Sequence, residues 1–270
     1  MKKTNKKSCI SVSYELFQND LRYSESYSVK LIAGIDEAGR GPWAGPVVAA
    51  AVILPLDQKT VEELAGLNDS KKISEKKREI LFEKINNLAV SVGVAIVEVD
   101  EIDQFGIGSA TRFAHHRALE KLDPFPELIL IDGRERIDLP MPQESIIKGD
   151  SKSLAIAAAS VIAKVTRDRI LEEMHIEYPD YGFLWHKGYG TMVHNQALNL
   201  FGPAPVHRKS FAPIRDCSPP DSVSPEFKKC WEILNNGKPN ELEIPSLDTF
   251  SELERSVLEE RIKAISRLSP

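Results

Sequence analysis

The chain has 270 residues, 42% of them hydrophobic and 28% charged, with a formal net charge of -5. That is an ordinary globular composition, with enough apolar material for one large domain or a domain plus an appendage. The acidic balance argues against a protein that coats nucleic acid nonspecifically, while leaving room for a local basic groove around an acidic centre.

Residues 1–29 are polar, with Ser, Asn and Lys interrupting any pattern, and are expected to form a loosely ordered leader. The basic start Met1 to Lys7 precedes no apolar run of signal-peptide length, and no stretch is long enough to span a bilayer. Cys9, Cys217 and Cys230 lack the close pairing of a zinc knuckle or a redox motif, which points to a reducing compartment. A soluble cytoplasmic protein is expected.

From Leu31 the chain is organised. Leu31 to Ile35 and Val47 to Leu54 read as buried strands, expected to form a hairpin within a mixed sheet, and Ser91 to Val99 alternates as a third strand. Ser74 to Leu88 and Gly108 to Leu122 read as helices. Leu128 to Ile131 is an apolar strand ending in Asp132-Gly133, and Ser145 to Lys148 is a short extended piece before Gly149-Asp150. Ser153 to Met174 is a long alanine-rich helix. Strands alternating with helices predict an α/β sheet covered on both faces.

Tyr178 to Thr191, rich in Gly and aromatics, reads as an ordered loop. Residues 218 to 225, Ser-Pro-Pro-Asp-Ser-Val-Ser-Pro, form a breaker cluster and the best boundary in the chain. The expected division is therefore a leader at 1–29, a catalytic domain at 30–217, and a linker with a helical extension at 218–270. In that extension Phe250, Leu253, Val257, Leu258, Ile262, Ile265 and Leu268 recur every three or four residues, an amphipathic stripe expected to pack on the main domain.

Asp36, Glu37, Asp132 and Asp150 each stand at or just past the end of an apolar segment and before small or flexible residues. In an α/β sheet such ends open into the ligand crevice. Adjacent acids such as Asp36 and Glu37 repel each other and resist desolvation, so they call for a compensating cation. Four converging carboxylates would suit two hard divalent cations about 3.5–4 Å apart, a site for phosphodiester hydrolysis. Taken singly, each Asp is as well explained as a turn or cap residue.

Seven blocks resemble, in order, the bacterial ribonuclease HII family. They are Gly34-Ile35-Asp36-Glu37-Ala38-Gly39-Arg40-Gly41-Pro42, Asn68-Asp69-Ser70-Lys71-Lys72, Ile131-Asp132-Gly133, Lys148-Gly149-Asp150-Ser151, the run from Ala158 to Asp168, His186-Lys187-Gly188-Tyr189-Gly190-Thr191, and His207-Arg208-Lys209-Ser210-Phe211. The resemblance covers about residues 31 to 216. It implies a ribonuclease H-like α/β fold, a mixed five-stranded sheet flanked by helices, with a C-terminal helical extension. It also implies a monomeric endonuclease that uses two Mg²⁺ or Mn²⁺ ions to cut the RNA strand of RNA/DNA hybrids, and to cut 5′ of ribonucleotides embedded in duplex DNA. Asp36, Glu37, Asp132 and Asp150 match the family's metal-binding acids.

Gly39, Arg40 and Gly41 match the family motif that meets the ribose 2′-hydroxyl, a group that distinguishes RNA from DNA and requires close approach of a backbone. Tyr189 matches the tyrosine that packs on the neighbouring sugar, although a lone Tyr in a Gly-rich loop would otherwise be read as loop packing. Lys71, ahead of Lys72, together with Arg208 and Lys209, are candidates for backbone phosphates, against the reading of short cation runs as solvated surface.

Rival readings fare worse. A dinucleotide-binding turn at Gly39 to Gly45 is opposed by Pro42, by the acids at its entrance and by a strand where that fold needs a helix. A noncatalytic nucleic-acid binder would lose one of the four acids, and a ribonuclease HIII would carry a larger N-terminal domain. The histidines lack zinc spacing; His115 and His116 are expected on a helix surface, His186 and His194 in loop hydrogen bonding, and His207 as support near the basic block.

Overall fold

The computed structural model describes residues 3–217, 223–236 and 246–266. The chain divides into two compact units: residues 1–40 with 46–167, and residues 41–45 with 168–270. Among the described residues no helix is long and apolar enough to cross a membrane.

The first unit begins with α1 (Lys3–Tyr27), then β1 (Ile32–Ala38), β2 (Val47–Ile53), α2 (Gln58–Glu63), α3 (Glu75–Leu88), β3 (Ser91–Val97), α4 (Val99–Glu120), β4 (Leu128–Asp132), β5 (Gln143–Ile146) and the start of α5 (Leu154–Glu177). The five strands form one mixed sheet in the order β3-β2-β1-β4-β5. β1 runs antiparallel to β2 with Ile35 opposite Ala51, and parallel to β4 with Ile35 opposite Ile131. All seven residues of β2, Val-Val-Ala-Ala-Ala-Val-Ile, are buried, as expected of a strand covered on both faces rather than one.

Gly34 explains how α5 reaches the sheet. A Cβ built there would lie 2.1 Å from the carbonyl carbon of Ala155, so only glycine lets the first turn of α5 rest on β1. That seating draws the segment carrying Asp150 toward the end of β1.

Two expectations are corrected here. Residues 3–27 are helical rather than a loosely ordered leader. Leu16 and Phe17 are buried, Ser13 Oγ donates to Leu64 O at 3.1 Å, and Asp20 Oδ2 accepts from Ala155 N at 3.0 Å. Half of the packed face is polar, so the apolar periodicity that announces a helix is missing. Likewise α4 begins at Val99, not Gly108; its two helical segments join across Gly106, whose φ of 77° breaks the pattern.

The second unit continues α5 and adds α6 (Phe183–His186), α7 (Met192–Phe201), α8 (Ala212–Arg215), α9 (Pro225–Asn236) and α10 (Glu252–Ser266). Its core gathers Phe183, Leu198, Phe227, Trp231, Phe250, Val257 and Leu258. Trp231 is fully buried and its indole N–H donates to Asp180 O at 2.6 Å. Phe250, Val257 and Leu258 of the expected stripe are thus core residues, whereas Leu268 and the side chains of Leu253 and Ile265 lie outside the described set. The breaker cluster at 218–225 also falls largely outside it.

Candidate active site

The parallel pairing of β1 with β4 brings two strand ends to the same edge of the sheet. One residue past the register pair Ile35 and Ile131, Asp36 and Asp132 stand side by side. Asp132 Oδ1 accepts from Gly149 N at 2.6 Å, which ties the turn carrying Asp150 to the end of β4. Acids from three separate stretches of the chain, Asp36-Glu37, Asp132 and Asp150, are therefore neighbours in the first unit.

Their electrostatics record the crowding. Burial, then the charges of Glu37 and Asp132, hold the Asp36 carboxyl well above the usual carboxylate range. Burial also raises Asp132, against the Gly149 hydrogen bond. Asp150 is pushed up to about 6 by burial and by the charges of Asp69 and Asp132. Glu37 goes the other way: burial would raise it, but the hydrogen bond and charge of His115, followed by Arg40, hold it low.

Three of the acids, Asp36, Glu37 and Asp132, are engaged by protein donors. Glu37 N donates to Asp36 Oδ1 at 2.7 Å, His115 Nε2 lies 2.9 Å from Glu37 Oε2, and Arg40 Nη1 donates to Glu37 Oε1 at 3.3 Å. Among the described residues no group of three or more His, Cys, Asp or Glu side chains stands ready arranged around a cation. The donor set nevertheless fits hard divalent ions. It is all oxygen, and the burial and mutual repulsion that raise Asp36 and Asp132 are what a cation would offset.

Gly39, at φ 103°, adopts a conformation that L side chains rarely take, and a Cβ there would sit 2.3 Å from Arg167 Nε. Arg167 is buried and donates to Pro46 O at 3.1 Å, bracing the turn. Arg40 is half-exposed and reaches both Glu37 and Glu135 at 3.3 Å. Lys71 is exposed, and its charge lowers both Asp132 and Asp150. Lys72 instead pairs with Asp69 at 3.4 Å.

The chain passes into the second unit between Arg40 and Gly41. Within that unit a Cβ on Gly41 would lie 3.7 Å from the Tyr189 ring. Trp43 N donates to Gly188 O at 2.8 Å, and Tyr189 is 46% exposed. Arg208 is corrected from a phosphate candidate: it is fully buried, donating from Nε and Nη2 to Gly45 O at 3.0 and 2.7 Å. Lys209 is exposed.

Sequence reasoning missed four partners. His115 is buried against Glu37 rather than on a helix surface. Ser160 hydrogen-bonds Asp36 and lies 2.8 Å from Ser70 Oγ, linking the Asn68 to Lys72 block to β1. Asp69 faces Asp150, and Glu135 holds Arg40. His115 shares its helix with buried Thr111 and Ala118, four before and three after, a spacing that could have turned it inward. His186, His194 and His207 also meet, with His194 Nε2 and His207 Nε2 3.0 Å apart and the rings of His186 and His194 stacked at 4.5 Å.

A family model described as Ribonuclease HII matches residues 33–214. A Ribonuclease HII of Acetivibrio thermocellus is 55% identical over 189 residues, 70% of this chain and 72% of that protein. One of Enterococcus faecalis is 51% identical over 206 residues, 75% of this chain and 79% of its own length. The crystal structure of ribonuclease H2 from Pyrococcus horikoshii OT3 superposes with a TM-score of 0.59 at 28% identity, covering 69% of this chain and 96% of that one.

Proposed function

This chain belongs to the ribonuclease HII family, and from that premise we propose that Asp36, Glu37, Asp132 and Asp150 are the acids with which it cuts. It is an endonuclease of the ribonuclease H class, acting on nucleic acid and hydrolysing RNA paired with DNA, and it depends on divalent metal. The observation that carries the site reading is the adjacency of Asp36 and Asp132 at the ends of parallel strands, with Gly149 N bonded to Asp132.

In this reading the four carboxylates would hold two Mg²⁺ or Mn²⁺ ions. When bound there, such ions supply water activation and neutralise the departing 3′ oxygen of an in-line displacement. Asp36 and Asp132, side by side on adjacent strands, would serve the same phosphate. Glu37 is oriented by His115 and Arg40, and Asp150 approaches on the turn that Asp132 anchors. Hydrolysis then leaves a 3′-hydroxyl and a 5′-phosphate.

Gly39, Arg40 and Gly41 present the backbone that meets a 2′-hydroxyl, and Tyr189, packed on Gly41, offers a ring face to a sugar. Lys71 adds a cation for the backbone. The substrates are RNA/DNA hybrids and duplex DNA containing ribonucleotides. A monomer working in the cytoplasm belongs to the same reading, which the free thiols of Cys217 and Cys230 support.

A cleavage assay tests this. DNA duplex with one embedded ribonucleotide and a long hybrid are each incubated with Mg²⁺, with Mn²⁺ and with chelator. Incision 5′ of the ribonucleotide only with metal is expected; metal-independent cutting, or products with cyclic or 3′-phosphate ends, would overturn it.

A further inference from the structure

One face of α1 meets the segment carrying Asp150 around a pocket of about 320 Å³. Asn19, Arg22, Tyr23 and Ser26 line it from the helix, at the spacing of a single helical face. Ile146, at the end of β5, and Lys152, two residues past Asp150, line the other side. α1 precedes the residues 33–214 that match the family, so four of the six lining residues belong to chain outside the match.

The pocket is organised by Asn19. Its amide nitrogen donates to Lys152 O at 2.9 Å, and its amide oxygen accepts from Arg22 Nη1 at 3.1 Å. One residue on, Asp20 caps the start of α5 through Ala155 N. α1 is thus fastened on both sides of Ser153, and the Arg22 guanidinium is oriented by a partner that leaves most of its donors unused.

Charge points to the occupant. Neither Arg22 nor Lys152 pairs with a carboxylate among the described residues. Two acids stand near and bear on Tyr23 by their charge, Asp20, which accepts from Ala155 N, and Glu144, which accepts from the Tyr27 hydroxyl; neither forms an ion pair with Arg22 or Lys152. The hydroxyls of Tyr23 and Ser26 complete a lining of donors around two cations. An oxyanion with several acceptor oxygens matches that chemistry, and a guanidinium fork suits phosphate in particular.

We infer that this pocket binds a phosphodiester of the substrate backbone through Arg22 and Lys152, beside the strand being cut. The inference rests on the reading of Asp150 as part of the cutting site. It makes α1 a substrate-binding element of this chain.

The test is equilibrium binding of an RNA/DNA hybrid without divalent metal, followed by fluorescence anisotropy between 50 and 200 mM salt (roughly the range over which phosphate contacts are lost). Wild type is compared with Arg22→Ala, Lys152→Ala and Arg22→Lys. Each alanine variant should flatten the plot of log affinity against log salt by about one contact, so that its deficit shrinks roughly threefold to fourfold across the range. Arg22→Lys should keep the wild-type slope. Lys152→Ala, on the opposite wall from α1, serves if Arg22→Ala unfolds the helix.

Coincident slopes for wild type and both alanine variants would overturn the inference. So would coincident slopes combined with a melting shift by inorganic phosphate in wild type alone, which would mark a free-phosphate site. No cleavage enters the measurement, so it stands or falls separately from any test of the four acids.

Discussion

His115 Nε2 lies 2.9 Å from Glu37 Oε2, joining the middle of α4 to the end of β1 across 78 residues of chain. Arg40 takes the other oxygen of the same carboxylate at 3.3 Å. Glu37 is held on two sides, which is why its carboxyl stays low while Asp36, next to it, is raised.

Removing His115 leaves the half-buried Glu37 without its nearest donor. His115→Ala should cost about 1–3 kcal/mol of stability and weaken apparent metal affinity by roughly 10- to 100-fold, the usual effect of losing a residue that orients a ligand. Urea unfolding and a Mn²⁺ titration of cleavage measure the two effects. An unchanged titration midpoint would show that His115 does not orient Glu37 for metal.

The two neighbouring strand-end acids should be indispensable to cutting. Asp36→Asn and Asp132→Asn keep size and hydrogen-bonding capacity while removing charge, so turnover should fall by orders of magnitude with hybrid binding retained. Single-turnover cleavage and metal-free binding on each variant give the comparison. Near-normal cleavage by either would sink the assignment.

Tyr189 packs on Gly41 with its ring exposed. Tyr189→Ala should reduce incision at a single embedded ribonucleotide more than cleavage of a long hybrid, because the single site offers one sugar to read. Ratios of kcat/KM on the two substrates decide it; equal losses would count against that role.

Asp20 gives the stability a pH dependence. Burial raises its carboxyl from 3.8 to about 7, so the folded state binds more protons than the unfolded one between those values. Its contribution is greatest below about pH 4 and is lost as the pH rises toward 7. Asp20→Asn keeps an acceptor for Ala155 N and removes the titration. The variant should gain on wild type as pH rises, by up to about 4 kcal/mol above pH 7. Urea midpoints at several pH values test this, and parallel curves would refute it.

Most of the sheet was legible because β2, and the stretches of β1 and β4 that precede Asp36 and Asp132, are apolar runs of strand length, as in strands covered on both faces. α1 was not, because Ser13, Asn19 and Asp20 bind backbone groups of other segments, and a polar residue in sequence does not announce a buried partner. Arg208 misled for the same reason: a cation in a basic block looks solvated until Gly45 O is found beneath it.

By itself the sequence determined the chemistry: four acids at segment ends, glycines where backbone must approach, and an ordered set of blocks that identifies the family. Tertiary structure alone decided which groups meet. The register of β1 against β4 put Asp36 beside Asp132, and the seating of α5 on Gly34 brought the turn of Asp150 to them. His115 reached Glu37 only through the packing of α4 on the sheet. Residue type sets what a side chain can bond or repel, but contacts between distant segments depend on strand pairing and helix packing, which no local pattern encodes.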